Sequence, residues 1–564
     1  MHTRFFSALS LFIREIRCTV AIAAGFAAMT GYAQQPPGYS PESPNDPPGV
    51  PAREVGPPAS PRGNLDPGFQ VNVNAAGLNI LGDAANEPSI CVDPTRPNRM
   101  AIGWRQFDTV ASNFRQAGYA WSRDAGRTWT FPGSLTPGLF RSDPVLRSTS
   151  SGVFYYYSLS TLTSCEFFRS LDGGRTWGPP LPGFGGDKQW FAIDTTGGAS
   201  DGNIYGCWSQ YYGCCGNNVF TRSVDDAASF STPISLPQGH VFGTLDVGPD
   251  GEVYLVGGDA PTRSTQIVTR SSDAASGGAI TFDRSTQVPL GVMVLGTQYV
   301  NPSGLLGQAS VVVDRSNGPR RGWVYVLCSV DPPGSDPLDV RFARSTDGGL
   351  TFSTPVRIND DPAGTNAYQW FGTMSIAPSG RIDVVWNDTR HAANPSQPVT
   401  SELYYSFSND GGVTWSANEQ LAQSWNHLVG FPQQQKIGDY YDMWSDDVGA
   451  NLAYAATYNG EQDVWFRRIG DYDCNGNGVG DGADVSSGTS NDVNGDGIPD
   501  ECQCLGDLDA SEEVDLADLA GLLATYGLCE GDPGFAAGGD LTGDGCVGLE
   551  DLAALLTEFG RECP

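Results

Sequence analysis

"SNDGGVTW" occupies residues 408–415, and the chain writes it repeatedly: "SRDAGRTW" at 122–129, "SLDGGRTW" at 170–177 and "STDGGLTF" at 345–352. Two worn copies, "SVDDAASF" from Ser223 and "SSDAASGGAITF" from Ser271, fill the gap between them. The six starts are separated by 48, 53, 48, 74 and 63 residues. A β-rich run precedes each octet, a short strand follows it, and two more apolar strands lie upstream. Four strands per repeat is the length of one propeller blade. Asp and Ser side chains hydrogen-bond turn backbone, Gly accepts φ > 0, and an aromatic packs between sheets. The octet therefore reads as a blade turn, because a catalytic centre is needed once and a turn is needed in every blade.

The repeat locates seven innermost strands: 86–93, 141–146, 187–194, 242–247, 307–314, 370–377 and 438–444. Seven blades are expected, with six the alternative if one unit is miscounted. The seventh unit has no octet and no fourth strand of its own. The segment "FQVNVNAAGLNIL" (69–81) is placed to supply that strand, closing the ring and removing the open sheet edge.

S-x-D-x-G-x-T-W resembles the Asp box, or BNR repeat, of sialidase-like propellers, over roughly residues 69–470. The resemblance implies a mainly β propeller whose boxes lie on the rim away from the active site. Chemistry is then expected at the channel, where innermost strands begin. The catalytic candidates are Glu87, Asp143, Asp187, Asp439, Tyr440 and Tyr441. Arg105, Asp108, Gln369, Asp388 and Arg390 are the substrate-binding candidates, with Lys188, Gln308 and His391 near them. Sialidases use a Tyr nucleophile with a Glu partner and an Asp acid. Their Arg-Ile-Pro motif corresponds here to "NEPSI", which puts Glu87 in the arginine's place.

The ends read differently. Residues 1–33 have the basic start, apolar run and small residues of a secretory signal. Residues 34–66 are a Pro-rich linker and 67–470 the propeller. That N-terminal apolar run is too short to span a bilayer comfortably, and no later run of about 20 apolar residues exists. Beyond Cys18, six cysteines fall in the middle and six near the end, two even sets suited to disulfides outside the cytoplasm. Cys214 and Cys215 are expected to join loop disulfides, with Cys207 a candidate partner. The formal net charge is −32, and residues 471–564 hold 22 Asp/Glu against one basic residue, Arg561. Such density repels nucleic acid, and the stretch is either a solvated tail or a holder of cations.

Calcium loops place oxygen ligands at positions 1, 3, 5, 9 and 12, with Gly at 6. Residues 473–484 supply Asp473, Asn475, Asn477, Asp481 and Asp484, and the next run supplies Asp492, Asn494, Asp496 and Asp500. This pair, 471–504, resembles thrombospondin type 3-like calcium repeats. Two further loops at a period of 33 offer Asp507, Asp509, Ser511, Asp515 and Asp518, then Asp540, Thr542, Asp544 and Asp551. Each leads into a helix with apolar residues on one face: Leu516, Leu519, Leu522, Leu523 and Tyr526, repeated as Leu549, Leu552, Leu555, Leu556 and Phe559. Residues 505–564 thus resemble a dockerin, which implies Ca2+ and a cohesin-like partner.

The chain is accordingly expected to be a secreted or cell-surface, carbohydrate-active propeller that hydrolyses or binds extracellular glycan. Hydrolysis would make it an exo-sialidase-like glycoside hydrolase. The alternative is a non-catalytic binding or scaffolding propeller.

Overall fold

Ser408 ends the third strand of its sheet (Thr400–Ser408), and the octet turns the chain into a short fourth strand (Glu419–Gln420). Asp410 accepts hydrogen bonds from Ser408 Oγ, Val413 N, Thr414 N and Thr414 Oγ1. Ser408 Oγ accepts from Gly412 N at 2.8 Å. The same net recurs at Asp124, Asp172, Asp225, Asp273 and Asp347, so the worn copies are true copies. Gly412 has φ 77°, and a Cβ there would lie 2.2 Å from the Phe342 ring. The box aromatics then pack on the preceding blade: Trp129 on Phe466, Phe230 on Phe167, Phe282 on Phe220 and Trp415 on Phe342.

The computed structural model describes residues 46–50, 54–56 and 65–563, apart from 261, 493, 510, 512 and 562. The expected leader and most of the Pro-rich stretch lie outside these residues. Seven antiparallel sheets follow in chain order, with innermost strands Ala84–Asp93, Ser142–Ser148, Trp190–Ile193, Leu245–Val247, Ser310–Val313, Gln369–Ile376 and Asp442–Ser445; six are four-stranded and the sixth blade adds a fifth strand, Trp425–Asn426. Each innermost strand packs on the next, and that of blade 7 on that of blade 1, so the ring is closed. Blade 7 takes its fourth strand from the N-terminal side: Phe69–Gln70 pairs with Asp463–Gly470. Hence blade 7 has no octet. The chain leaves its third strand for the C-terminal module, and no covalent turn is needed there.

The innermost strands would present bare N–H groups to the channel. Side chains of the preceding blade cap them: Ser89 accepts from Leu146 N, Asp246 from Val313 N, Ser375 from Ser445 N, and Asp442 from Ile90 N. An extra hairpin, Leu295–Thr297 with Val300–Leu305, lies between blades 4 and 5.

Three short helices follow the propeller: α1 (Asp481–Ser487), α2 (Leu516–Thr525) and α3 (Leu549–Glu558). Disulfides Cys474–Cys502, Cys504–Cys563 and Cys529–Cys546 hold this acidic region. The middle set of cysteines is not paired, which corrects the expectation for Cys207, Cys214 and Cys215. Cys91, Cys165, Cys207 and Cys328 are instead buried among apolar side chains and behave as small hydrophobes. The helix faces also differ from expectation. Leu522 and Leu555 are fully buried, whereas Leu516 and Leu549 are each 71% exposed. The two short helices pack through one line of contact, too narrow to cover five apolar residues each. Among the described residues, no helix is long and apolar enough to cross a membrane.

Candidate functional site

At the end of the channel where innermost strands begin, several residues adopt left-handed backbone. Glu87 (φ 52°), Asp143 (φ 48°) and Lys188 (φ 57°) do so in three successive blades. The ladder shifts register beside two of them, between Asn86 and Ser89 and between Ser142 and Val145. These bulges turn the charged side chains toward one another. Lys188 Nζ lies 2.7 Å from Asp143 Oδ2, 2.7 Å from Asp439 Oδ2 and 3.3 Å from Asp187 Oδ1. Glu87 Oε1 is 3.3 Å from Arg105 Nη1 and 3.1 Å from Lys436 Nζ, and Lys436 also reaches Asp439 at 2.5 Å.

The expected carboxylates are therefore brought together, but not at an open mouth. Glu87, Asp143, Asp187, Asp439 and Arg105 are all fully buried. Burial raises Glu87 to about 7 against the pull of Arg105, Lys188 and Lys436, and it raises Asp187 too. Burial also opposes ionisation of Asp143 and Asp439, yet Lys188 and Lys436 outweigh it and hold both low. Burial lowers Lys436, whereas Lys188, ringed by carboxylates, is raised in spite of its burial.

Single-copy insertions close this end. Ser303 N donates to Gln435 O (3.0 Å), Ile437 N to Asn301 Oδ1 (2.9 Å) and Leu305 N to Asp439 Oδ1 (2.7 Å). Gln434 N donates to Asn113 Oδ1 at 2.6 Å, tying the cover to blade 1. Tyr440 and Tyr441 face away from nucleophile duty: their hydroxyls donate to Pro144 O and Ala455 O. Burial raises both phenols, so neither is a ready phenolate.

The remaining candidates do not join the cluster. Gln369 donates to Asp388 Oδ1 (3.2 Å), and Asp388 Oδ2 accepts from Arg390 Nη2 (2.8 Å) and Trp386 Nε1 (2.9 Å). Arg390 also pairs with Asp360 and lies 4.2 Å over the Tyr404 ring, beside His391 and Glu402. Asp108 accepts from Gln116 Nε2 (2.8 Å) on blade 1.

The channel is open at its other end, where the box turns lie. There a cavity of about 690 Å3 extends from Asp439 and Gln308 to the turns at Pro94, Thr195 and Pro378. Its wall includes Arg147, Trp190, Asp246, Arg315, Asp442 and Met443. The octet spacing located the innermost strands but gave no sign of which end is open. Arg147 and Asp442 were legible only as alternating positions on those strands. Lys436 had a nearer signal, two residues ahead of Gly438 at the start of the last innermost strand.

In the acidic region, the ligand atoms of Asp507, Asp509 and Asp518 lie within 4.8 Å of one another, as do those of Asp540, Asp544 and Asp551. Asp473 accepts from Asn477 N and Gly478 N, and the amides of Asn475 and Asn477 meet Asp484 Oδ2. Asp492 accepts from Asp496 N and Gly497 N, while Gln503 takes the position-12 place, donating to Asp496. Thr542 Oγ1 donates to Asp551. Ser511 N donates to Asp507, with Asn494 and Asp500 beside their own loop. Asp515 caps α2 through Ala517 N, and Asp481 pairs with Arg127 of the first box at 3.1 Å. The all-oxygen donor set fits a hard cation such as Ca2+.

No family model and no curated protein matches the chain. Among solved structures, a protein of unknown function from Dyadobacter fermentans DSM 18053 is 14% identical over 71% of this chain and 97% of that one, with a TM-score of 0.42. A Hadza microbial sialidase is 13% identical over 68% of this chain and 66% of its own, with a TM-score of 0.33. An ulvan lyase of a new polysaccharide lyase family is 12% identical over 68% of this chain and 79% of its own, with a TM-score of 0.30. The chain is similar to these structures, and the likeness adds nothing to the seven-bladed ring given by its own strand order.

Proposed function

We propose that the protein is an exported propeller that binds extracellular glycan without cleaving it, carried by a calcium-stabilised C-terminal module. The observation that carries this reading is the state of the four carboxylates. A glycosidase needs a carboxyl pair that a substrate can reach. Here Glu87, Asp143, Asp187 and Asp439 are fully buried and closed by Lys188, Lys436 and Arg105. In that arrangement they key blades 1, 2, 3 and 7 together. The cavity at the opposite end is left as the place for a solute, and its volume lies in the range of ligand pockets.

The disulfides of the acidic region support an extracellular setting. Calcium is assigned to its four loops by their oxygen donor sets. The exposed faces of α2 and α3 match one another: Leu516, Leu523 and Tyr526 against Leu549, Leu556 and Phe559. Such unpartnered apolar residues suit a protein partner of the cohesin kind. The test is a screen of the purified protein on sialosides and neutral glycans for both binding and turnover. Binding without turnover, unchanged in Asp187→Asn, supports the reading. Hydrolysis that Asp187→Asn abolishes would return the protein to the glycosidases.

A further inference from the structure

The cavity at the box end of the channel has a definite donor and acceptor pattern. Its three carboxylates are already spent. Asp439 accepts from Leu305 N (2.7 Å) and pairs with Lys188 and Lys436. Asp442 Oδ2 accepts from Arg147 Nη1 (2.7 Å), Ser89 Oγ (2.5 Å) and Ile90 N (3.3 Å). Asp246 accepts from Arg315 Nη1 (2.7 Å) on one oxygen and Val313 N (2.8 Å) on the other. Arg147 spends both terminal nitrogens on Asp442 and Leu146 O, and Arg321 spends both on Arg315 O and Pro249 O; Arg315 does not. Arg315 uses only Nη1, toward Asp246 and Val247 O, and among the described residues none accepts from its Nε or Nη2. A guanidinium offers five N–H donors in a fork that matches an oxyanion. Arg315 therefore keeps two unspent donor nitrogens beside carboxylates that are already bridged.

Deeper in, Gln308 is 6% exposed. Its Nε2 donates to Gly243 O (2.9 Å), and its Oε1 is buried with no partner. A buried acceptor left empty is costly, and a ligand hydroxyl would satisfy it. Between these polar points the wall is apolar: Trp190, Met374 and Met443 are each almost buried and line the space. Such a wall accepts the C–H face of a saturated ring.

We infer that this cavity takes a polyhydroxylated acid: a sugar whose carboxylate or sulfate sits on Arg315, with a hydroxyl donating to Gln308 Oε1 and its ring against Trp190. The inference rests on the glycan-binding reading and gives it a location and a ligand class.

The experiment is calorimetric titration of the full-length protein with four probes: a galacturonate disaccharide, galactose 6-sulfate, the neutral galactose disaccharide and cyclohexanecarboxylate. The acidic sugars should bind about tenfold or more tightly than the neutral one, an advantage that added salt reduces. Arg315→Gln, at a half-exposed site, should erase that advantage while leaving circular dichroism unchanged. Gln308→Met should weaken both acidic and neutral sugars. Equal binding of acidic and neutral sugars, or an acid preference that survives Arg315→Gln, would overturn this inference alone. Cyclohexanecarboxylate binding as tightly as galacturonate would overturn the sugar half of it. An absence of binding by any sugar would overturn it together with the glycan reading.

Discussion

Asp410 shows what one residue of the octet does. Its carboxylate gathers four donors at the end of a hairpin, and those bonds lower its pKa to about 2 despite some burial. Asp410→Ala should lower stability by about 1–2 kcal/mol, seen as a fall in Tm, and leave ligand binding unchanged. A different carboxylate makes stability pH-dependent. Asp463 receives Asn72 of the closing segment at 2.7 Å and faces Asp83 and Glu461. Burial raises Asp463 to about 7 and also raises Asp83, with Asp463 itself adding to the latter. The folded ring therefore holds these protons more tightly than the unfolded chain does. Its stabilisation is full at low pH and is lost as pH rises from about 4 through about 7. Asp463→Asn keeps the Asn72 contact and removes its own titration. Its Tm should fall less steeply across that window than the native protein's, with Asp83 still titrating, a difference on the order of 2–4 kcal/mol at pH 8. Parallel pH profiles would refute the assignment.

At the scale of elements, the repeat carried the reading and its limits. Ser122, Ser170, Ser223, Ser271, Ser345 and Ser408 each end a third strand, because the box must sit where a hairpin tightens. All seven innermost strands fall in the expected stretches, with starts shifted by one to four residues, and Phe69–Gln70 closed the ring as an unpaired blade requires. What occurs once in the chain was not legible. The hairpin ending at Leu305 and the stretch around Lys436 repeat nothing, so their closure of one channel end could not be read from period or composition. Cys207 and Cys214 misled for a related reason: parity counts cysteines but does not orient them. Helices α2 and α3 were placed correctly and their faces were not, since periodicity does not say how much a partner covers; α1 was read only as part of a calcium loop. For this region, removal of calcium with EGTA should lose the helical signal of α1 to α3 in circular dichroism, the three disulfides limiting expansion. An unchanged spectrum would refute calcium as its stabiliser.

For the whole molecule, the two ends of the channel divide the work. One end is a knot of carboxylates and cations that ties blades 1, 2, 3 and 7. The other is a hollow lined by the ends of the innermost strands and the turns after them, with Arg315 on its wall. A buried network of this kind stabilises little by itself and fails badly when one partner is removed. Lys188→Met, which strands three carboxylates, should therefore cost about 3–5 kcal/mol and show as a large fall in Tm. A small change would mean that the carboxylates are hydrated and reachable after all. The most direct measurement of the central claim is the fate of glycan mixed with the folded protein: bound ligand and released product, followed together on one set of sialosides and neutral and acidic oligosaccharides. Saturable binding with no product, in both the native protein and folded Asp187→Asn, is the expected result. Product release by the native protein that Asp187→Asn abolishes would contradict it.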